Sequence, residues 1–348
     1  MWEEGARSAA SCTAMVENAA VTDKNTPLLS VRDLLVRFKL GDGLSAALSK
    51  GPAYLKAVDE VSFDVGRGEV LGLVGESGSG KTTIGKAILR LYQPQSGSIV
   101  VNGVDITRMG DRALKRYRRD LQMVFQDPLS SLNPRHTVRT SLRTPLLLHK
   151  ICPPAEVEQR IDEALTRAGL SPVFKARYPH ELSGGQLQRV AIARALTMSP
   201  GLVVADEPVS KLDVSVRAQI LNLFKDLQTK FGISIIFITH DLRVARYLCH
   251  RIGVMYFGKL VEIAPVEELF TAPKHPYTKA LLGTVGAEGE TLDGGQVAGE
   301  AFTPAADTTG CRYYARCPMR VDRCKTAHPP METIKPGHDI ACYEWRRS

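Results

Sequence analysis

Three short stretches carry residue types that could handle a nucleotide. Gly75 to Thr82 reads GESGSGKT, which fills the pattern G-x-x-x-x-G-K-[ST]. Its small residues let the backbone N–H groups of Gly75, Glu76, Ser77, Gly78, Ser79 and Gly80 close around phosphates. Lys81 can reach the β- and γ-phosphates, the Thr82 hydroxyl can ligate Mg²⁺, and Thr83 follows in the same helix start. The second stretch, GLVVADEP, delivers Asp206 at the end of an apolar run, where it can hold Mg²⁺ through water. Glu207 comes next, placed to polarise an attacking water. Phosphoryl transfer asks for positioning and charge stabilisation more than covalent chemistry, so this set is sufficient in kind. The third stretch, LSGGQLQR from Leu182, is another glycine-rich turn before a helix with Arg189 and Arg194. A chain with one phosphate loop has no evident use for a second anion cradle.

Such residues need elements that hold them. EVLGLVG is a strand that runs straight into the phosphate loop, and a helix follows. GLVVAD and SIIFIT are near-continuous β-branched runs, the mark of buried parallel strands. LLSVRDLLVRF alternates like a strand, AVDEVSFDV and SIVVNG are further strands, and RIGVMYFGKLVEIA predicts a short hairpin. LGDGLSAALSKGPAYL reads as a loop insertion. Helices are expected near 111–122 and 155–170, the latter closed by a glycine. The order is that of an α/β protein.

The chain's 348 residues suit one large domain with a small appendix, and no internal repeat supplies a second nucleotide domain. Residues 1–27 read as a flexible tail, 28–282 as the main domain, 283–309 as a linker and 310–348 as a cysteine-rich extension. A net charge of +8 is spread over scattered Lys and Arg. That favours phosphates and anionic lipid surfaces, and no nucleic-acid partner is expected. The longest apolar runs are far too short to cross a bilayer, and the N-terminus lacks a secretion signal. The expectation is a cytosolic protein or one attached to a membrane through a partner. Of seven cysteines, Cys12, Cys152 and Cys249 are isolated, while Cys311, Cys317, Cys324 and Cys342 cluster. In a reducing cytosol four such thiolates suit a [4Fe–4S] cluster or tetrahedral Zn²⁺ better than disulfides. The spacing lacks the paired C-x2-C knuckles usual for structural zinc, and a metal-free tail stays open.

The phosphate loop, Gln126, LSGGQ, VVADEP, SKLD and ITHD occur in that order. Together they resemble the ATP-binding-cassette (ABC) ATPases over roughly residues 28–270. The resemblance implies a RecA-like core with an antiparallel β subdomain and an α-helical subdomain at about 127–190. It implies two cassettes docked head to tail, with Ser183, Gly184, Gly185 and Gln186 capping ATP held by the opposite phosphate loop. It also implies that Gln126 touches Mg²⁺ and the attacking water, and that His240 contacts the γ-phosphate. The resemblance further implies that Asp213 carries signals between the two sites and that Phe38 stacks on adenine. Lys211 departs from the family, which usually has a small residue there, and Val209 often gives way to Thr. FQDPLSSLNPRHTV, APKHPYTKALL and the cysteine tail further resemble ATPases of bacterial oligopeptide and dipeptide importers. That likeness implies a second ABC ATPase in a heterodimer, two membrane permeases and an extracytoplasmic solute-binding protein. The chain would then sit peripherally on the cytoplasmic face of the membrane. Some ATPases with this tail resemble iron–sulfur proteins. The alternatives are nickel or another small solute as cargo, or a soluble ABC ATPase outside transport.

Overall fold

Two sheets of different character carry the chain. A computed structural model describes residues 26–39, 54–283 and 309–347. The expected N-terminal tail, the linker and most of the loop insertion therefore lie outside the described residues. The first sheet is antiparallel and combines β1 (Leu29–Lys39), β2 (Tyr54–Val65), β4 (Ser96–Val101) and β5 (Val104–Asp105) in the order β2-β1-β4-β5. In β1 the burial alternates for most of the length, as expected for a sheet with one wet face. β2 starts at Tyr54, so the loop expected to run through Leu55 ends earlier, and Leu55 pairs with Phe38.

The second sheet is parallel at its centre. β3 (Val70–Val74), β6 (Leu121–Val124), β7 (Leu202–Asp206) and β8 (Ser234–Ile238) run parallel, with β9 (Arg251–Tyr256) parallel to β3 on the other side. β3, β7 and β8 are buried at every position, because helices cover one face and the antiparallel sheet the other. β9 turns back into β10 (Lys259–Pro265), the hairpin predicted from RIGVMYFGKLVEIA.

Helix α1 (Lys81–Ile88) follows β3 through the phosphate loop. Helix α2 (Asp111–Asp120) is two residues shorter than expected, since Leu121 and Gln122 already pair with β7. Four helices then form the lateral helical part: α3 (Pro128–Ser131), α4 (Val138–His149), α5 (Val157–Arg167) and α6 (Gly184–Leu196). Their apolar faces merge with the core through Leu142, Leu146, Ile161, Leu165 and Val190. Helix α7 (Val214–Phe231) joins β7 to β8, and α8 (Leu242–Leu248) joins β8 to β9. Helices α9 (Val266–Thr271) and α10 (Pro276–Gly283) close the main domain.

The cysteine-rich extension holds α11 (Asp322–Thr326), β11 (Glu332–Lys335) and β12 (His338–Ile340). It does not stand apart. β12 pairs with β10, so the extension adds two strands to the edge of the main sheet. Cys311, Tyr313 and Cys324 join the main core, which is how so short a segment is kept folded. His338 seals the joint: its Nε2 lies 2.9 Å from Glu262, a carboxylate with no exposure, which also accepts N–H bonds from Lys274 and His275. Among the described residues no helix is long and apolar enough to cross a membrane.

Candidate nucleotide site

The phosphate loop is shaped by close backbone approach. A Cβ on Gly75 would lie 2.2 Å from the Met255 carbonyl oxygen, and one on Gly80 would lie 2.1 Å from that of Ala57. Both glycines also have positive φ, so larger residues are excluded twice over. Gly80 is the N-cap of α1 and offers no side chain to satisfy the first N–H groups of that helix. Unsatisfied N–H groups at a helix start are what a phosphate needs.

Lys81 lies beneath the loop, 5% exposed. Its ammonium donates to the carbonyl oxygens of Gly75 and Glu76, both at 2.8 Å, and to Ser79 Oγ at 3.0 Å. Burial pushes its pKa down to about 8, against the pull of Glu207, Asp206 and Glu76. Thr82 Oγ1 donates to Asp206 Oδ1 at 2.9 Å. Burial raises the Asp206 pKa, with the Thr82 bond opposing. A hydroxyl and a carboxylate in contact at the edge of a phosphate cradle fit a hexacoordinate, oxygen-loving Mg²⁺ that keeps waters of its own.

Beside them, Glu207 sits at a left-handed φ of 45°, held by its N–H bond to the Ile238 carbonyl at 3.0 Å. An unfavourable backbone at a carboxylate facing a cleft is the kind of strain found at functional sites. Gln126 Nε2 donates to Glu207 Oε2 at 2.8 Å, and His240 Nδ1 lies 3.1 Å from Glu207 Oε1. Three loops, after β6, β7 and β8, thus meet at one carboxylate on the carboxyl edge of the parallel strands, where open α/β sheets bind ligands.

These groups line one cleft of about 660 Å³. It includes Phe38, Ser77 to Thr83, Gln126, Glu207 and His240. Phe38 pairs with Tyr92 in a T-shaped contact at 5.2 Å between centroids and is 37% exposed at the cleft. The 183 turn is elsewhere. Among the described residues, those lining the cleft include none of Ser183, Gly184, Gly185 or Gln186. Gly184 instead borders a neighbouring groove with Gln126, Leu129, Glu207 and Lys211. Ser183 and Gln186 form a capping box, their side chains bonding each other's backbone N–H at 3.3 and 3.0 Å. Arg189 is committed to the Ala168 carbonyl and Gln219, and Arg194 to the Ser131 carbonyl. Asp213 caps α7 through Val216 N–H at 2.9 Å, a bond that lowers its pKa.

Cys311, Cys317, Cys324 and Cys342 do converge, lining one small pocket with Tyr313 and Tyr343. Its volume is about 10 Å³, no more than one water needs. Burial pushes Cys311 up to about 12 and Cys342 to about 11, so these two thiols are neutral at physiological pH. Among the described residues no group of three or more His, Cys, Asp or Glu is arranged to hold a metal as it stands. The small pocket leaves no room for a metal, which would have to widen it and bind the sulfurs as thiolates.

Three residues near the cleft escaped the sequence reading. Tyr277, from the HPYT stretch, accepts the Glu76 N–H at 3.1 Å. Arg316 reaches both Glu76 carboxylate oxygens at 3.3 Å, and Arg312 lines the cleft while bonding Asp59 at 2.9 Å. Only the arginines flanking Cys311 and Cys317 hinted at this.

Phosphate loop, strand-end carboxylates and switch-like Gln and His on one sheet edge define an ATP-hydrolysing cassette. The chain matches the ABC transporter family over residues 58–210 and the oligopeptide/dipeptide transporter C-terminal region over residues 261–324. It is 46% identical over 319 residues to a putative peptide import ATP-binding protein of Brucella ovis, covering 91% of this chain and 98% of the relative. It is 44% identical over 324 residues to the oligopeptide transport ATP-binding protein AppF of Bacillus subtilis, covering 91% and 97%. Among solved structures it resembles the ATP-binding cassette MJ0796 in a dimeric post-hydrolysis state with ADP and Pi. That match has a TM-score of 0.60 and 30% identity, over 68% of this chain and 98% of the other. It also resembles cbiO1 of Clostridium perfringens, part of the ABC transporter complex cbiONQ, with TM-score 0.61 and 29% identity over 71% and 91% of the chains. The protein belongs to the ABC transporter ATPases.

Proposed function

We propose that this chain is the ATP-hydrolysing subunit of an importer of oligopeptides or dipeptides. The observation that carries the catalytic part is the bonded set Gln126–Glu207–His240 on the cleft of the phosphate loop. The cargo is supported by likeness to two peptide-transport ATP-binding proteins across most of the chain and by the matched C-terminal region.

In this reading the loop N–H groups and Lys81 hold the phosphates, and Thr82, Asp206 and Gln126 hold Mg²⁺, which supplies charge neutralisation. Glu207 accepts a proton from water as its oxygen attacks the γ-phosphorus. The bond to the bridging oxygen breaks, and ADP leaves with that electron pair. Gln126 and His240 orient the carboxylate and the γ-phosphate. The turn from Ser183 to Gln186 caps the nucleotide of a second cassette, with Asp213 between the sites, and Phe38 stacks on adenine. The second cassette is a sister ATPase in a heterodimer. Two permeases dock beside the groove of about 160 Å³ that runs past Gln126, where Leu129 is exposed. They hold the chain at the cytoplasmic face of the membrane, and an extracytoplasmic binding protein delivers the peptide. In the cysteine pocket a soft metal, [4Fe–4S] or Zn²⁺, would need the pocket to widen and the thiols to lose their protons; the convergence of four cysteines on one pocket is what supports it. An absorbance spectrum of anaerobically purified protein separates the two, since only the cluster absorbs in the visible.

The decisive experiment is Glu207→Gln in this chain alone, within the assembled complex. Turnover is expected to fall roughly a hundredfold or more, the scale of a lost general base. Unchanged turnover would make this site a regulatory one.

A further inference from the structure

The cysteine-rich extension touches the nucleotide site through one segment. Cys311 and Cys317 bracket Arg312–Tyr313–Tyr314–Ala315–Arg316; Arg312 lines the cleft, and Arg316 reaches Glu76 in the phosphate loop. Arg312 and its partner Asp59 are 5% and 8% exposed as side chains. Asp59 also takes Lys259 at 3.4 Å and donates its N–H to the Gly258 carbonyl. Gly258 in turn donates to the Ser79 carbonyl at 2.9 Å, inside the phosphate loop.

Arg316 acts more directly. Its Nη1 is 3.3 Å from both oxygens of Glu76, the second residue of the loop, and 3.3 Å from Tyr256 Oη. Tyr277 holds the same residue by its main chain. The rings of Tyr256, Tyr277 and Tyr313 pack against one another, tilted or edge-on, at 4.5 to 5.4 Å between centroids, so the clamp rests on a packed aromatic base. Glu76 is an anion on a loop that must receive a polyphosphate. Unpaired, it would repel that ligand, and its side chain would leave the start of the loop free to move. A guanidinium nitrogen shared between both carboxylate oxygens answers both needs.

We infer that the extension is part of the nucleotide site, with Arg316 a positioning residue that neutralises Glu76 and fixes the loop's entry. Docking of the extension and binding of nucleotide are then linked, and each strengthens the other by the same factor. This rests on the phosphate-loop reading above.

The test uses the full chain and MgADP, whose Kd is measured by equilibrium titration. Amide hydrogen exchange across residues 311–326 gives a second readout. Arg316→Ala is expected to raise Kd roughly three- to tenfold, the range of a partly exposed charge-assisted bond. Arg316→Lys recovers part of the loss. Glu76→Gln combined with Arg316→Ala is no worse than Arg316→Ala alone, because the pair acts as a unit. Arg320→Ala, which removes a bond to the Ala315 carbonyl and a contact over the Tyr314 ring but touches neither Glu76 nor the phosphate loop, leaves Kd at the wild-type value. MgADP slows exchange of the extension in the wild type and does so less in Arg316→Ala. Wild-type Kd in Arg316→Ala, or exchange of the extension indifferent to MgADP, would overturn the inference. Lys81→Ala tells the two readings apart. If it loses nucleotide while Arg316→Ala does not, only the role of the extension falls; if it binds as wild type, the phosphate-loop assignment falls instead.

Discussion

Two glycine-rich helix starts occur in this chain, and they are finished differently. At the phosphate loop, α1 begins behind Gly80, which has no side chain to cap the helix end. A buried lysine lies under the loop, bonded for the present to the loop's own oxygens. At the 183 turn, α6 begins behind Ser183, and a capping box with Gln186 closes the end on itself. Its nearest arginines are spent on carbonyls of the helical part. One cradle has a buried cation bonded beneath its loop, while the other is a self-capped helix end beside a groove that Lys211 borders. A helix end alone contributes about 0.3 to 1 kcal/mol toward an anion, far too little to hold a polyphosphate in water. On the proposed reading the second turn serves a phosphate that another chain's lysine already holds. That contrast is the physical case for a site shared between two chains.

The largest effect that sharpens the contrast is Lys81→Ala. It should weaken nucleotide binding roughly a hundredfold, the worth of charge-assisted bonds to phosphate, and abolish uptake in a transport assay. An effect on binding of less than a few-fold would erase the difference between the cradles. Next comes pH. Without ligand the Lys81 ammonium is half ionised at about pH 8. Phosphates against it favour the charged form, so its midpoint rises on binding. Above about pH 8 binding must take up a proton, and affinity should fall by up to about tenfold per unit; below it the curve should be flat. Titrations of MgADP from pH 6 to 10 check this. The smallest effect is on stability. Ser183→Ala removes a cap and should cost about 1 kcal/mol in a denaturant midpoint, with nucleotide affinity of this chain unchanged. A change in that affinity would place the turn in the wrong site.

Much of the site was legible in the sequence because it is built from backbone. Tight turns demand glycine at fixed places, and a buried parallel strand demands an unbroken β-branched run, so GESGSGKT and VVADE announced both their shape and their position. Leu121 illustrates the limit at element ends: its helical spacing continued α2, but pairing with Leu202 claimed it for β6. The extension was less legible still. Its cysteines marked a cluster, and they do line one pocket, yet nothing in their spacing tells that β12 pairs with β10. Nor does the sequence around Arg316 reveal Glu76, which lies 240 positions away in the chain. Long-range ion pairs leave no periodic trace, because they depend on how the sheet edge brings two segments together.

The shared site is tested most directly by ATP turnover in the assembled complex with Ser183→Arg in this chain, alongside nucleotide affinity of the same chain. The bulky cation should block the turn from closing over a neighbour's ATP, so turnover is expected to collapse while this chain still binds nucleotide with wild-type affinity. Turnover at the wild-type rate would contradict the account.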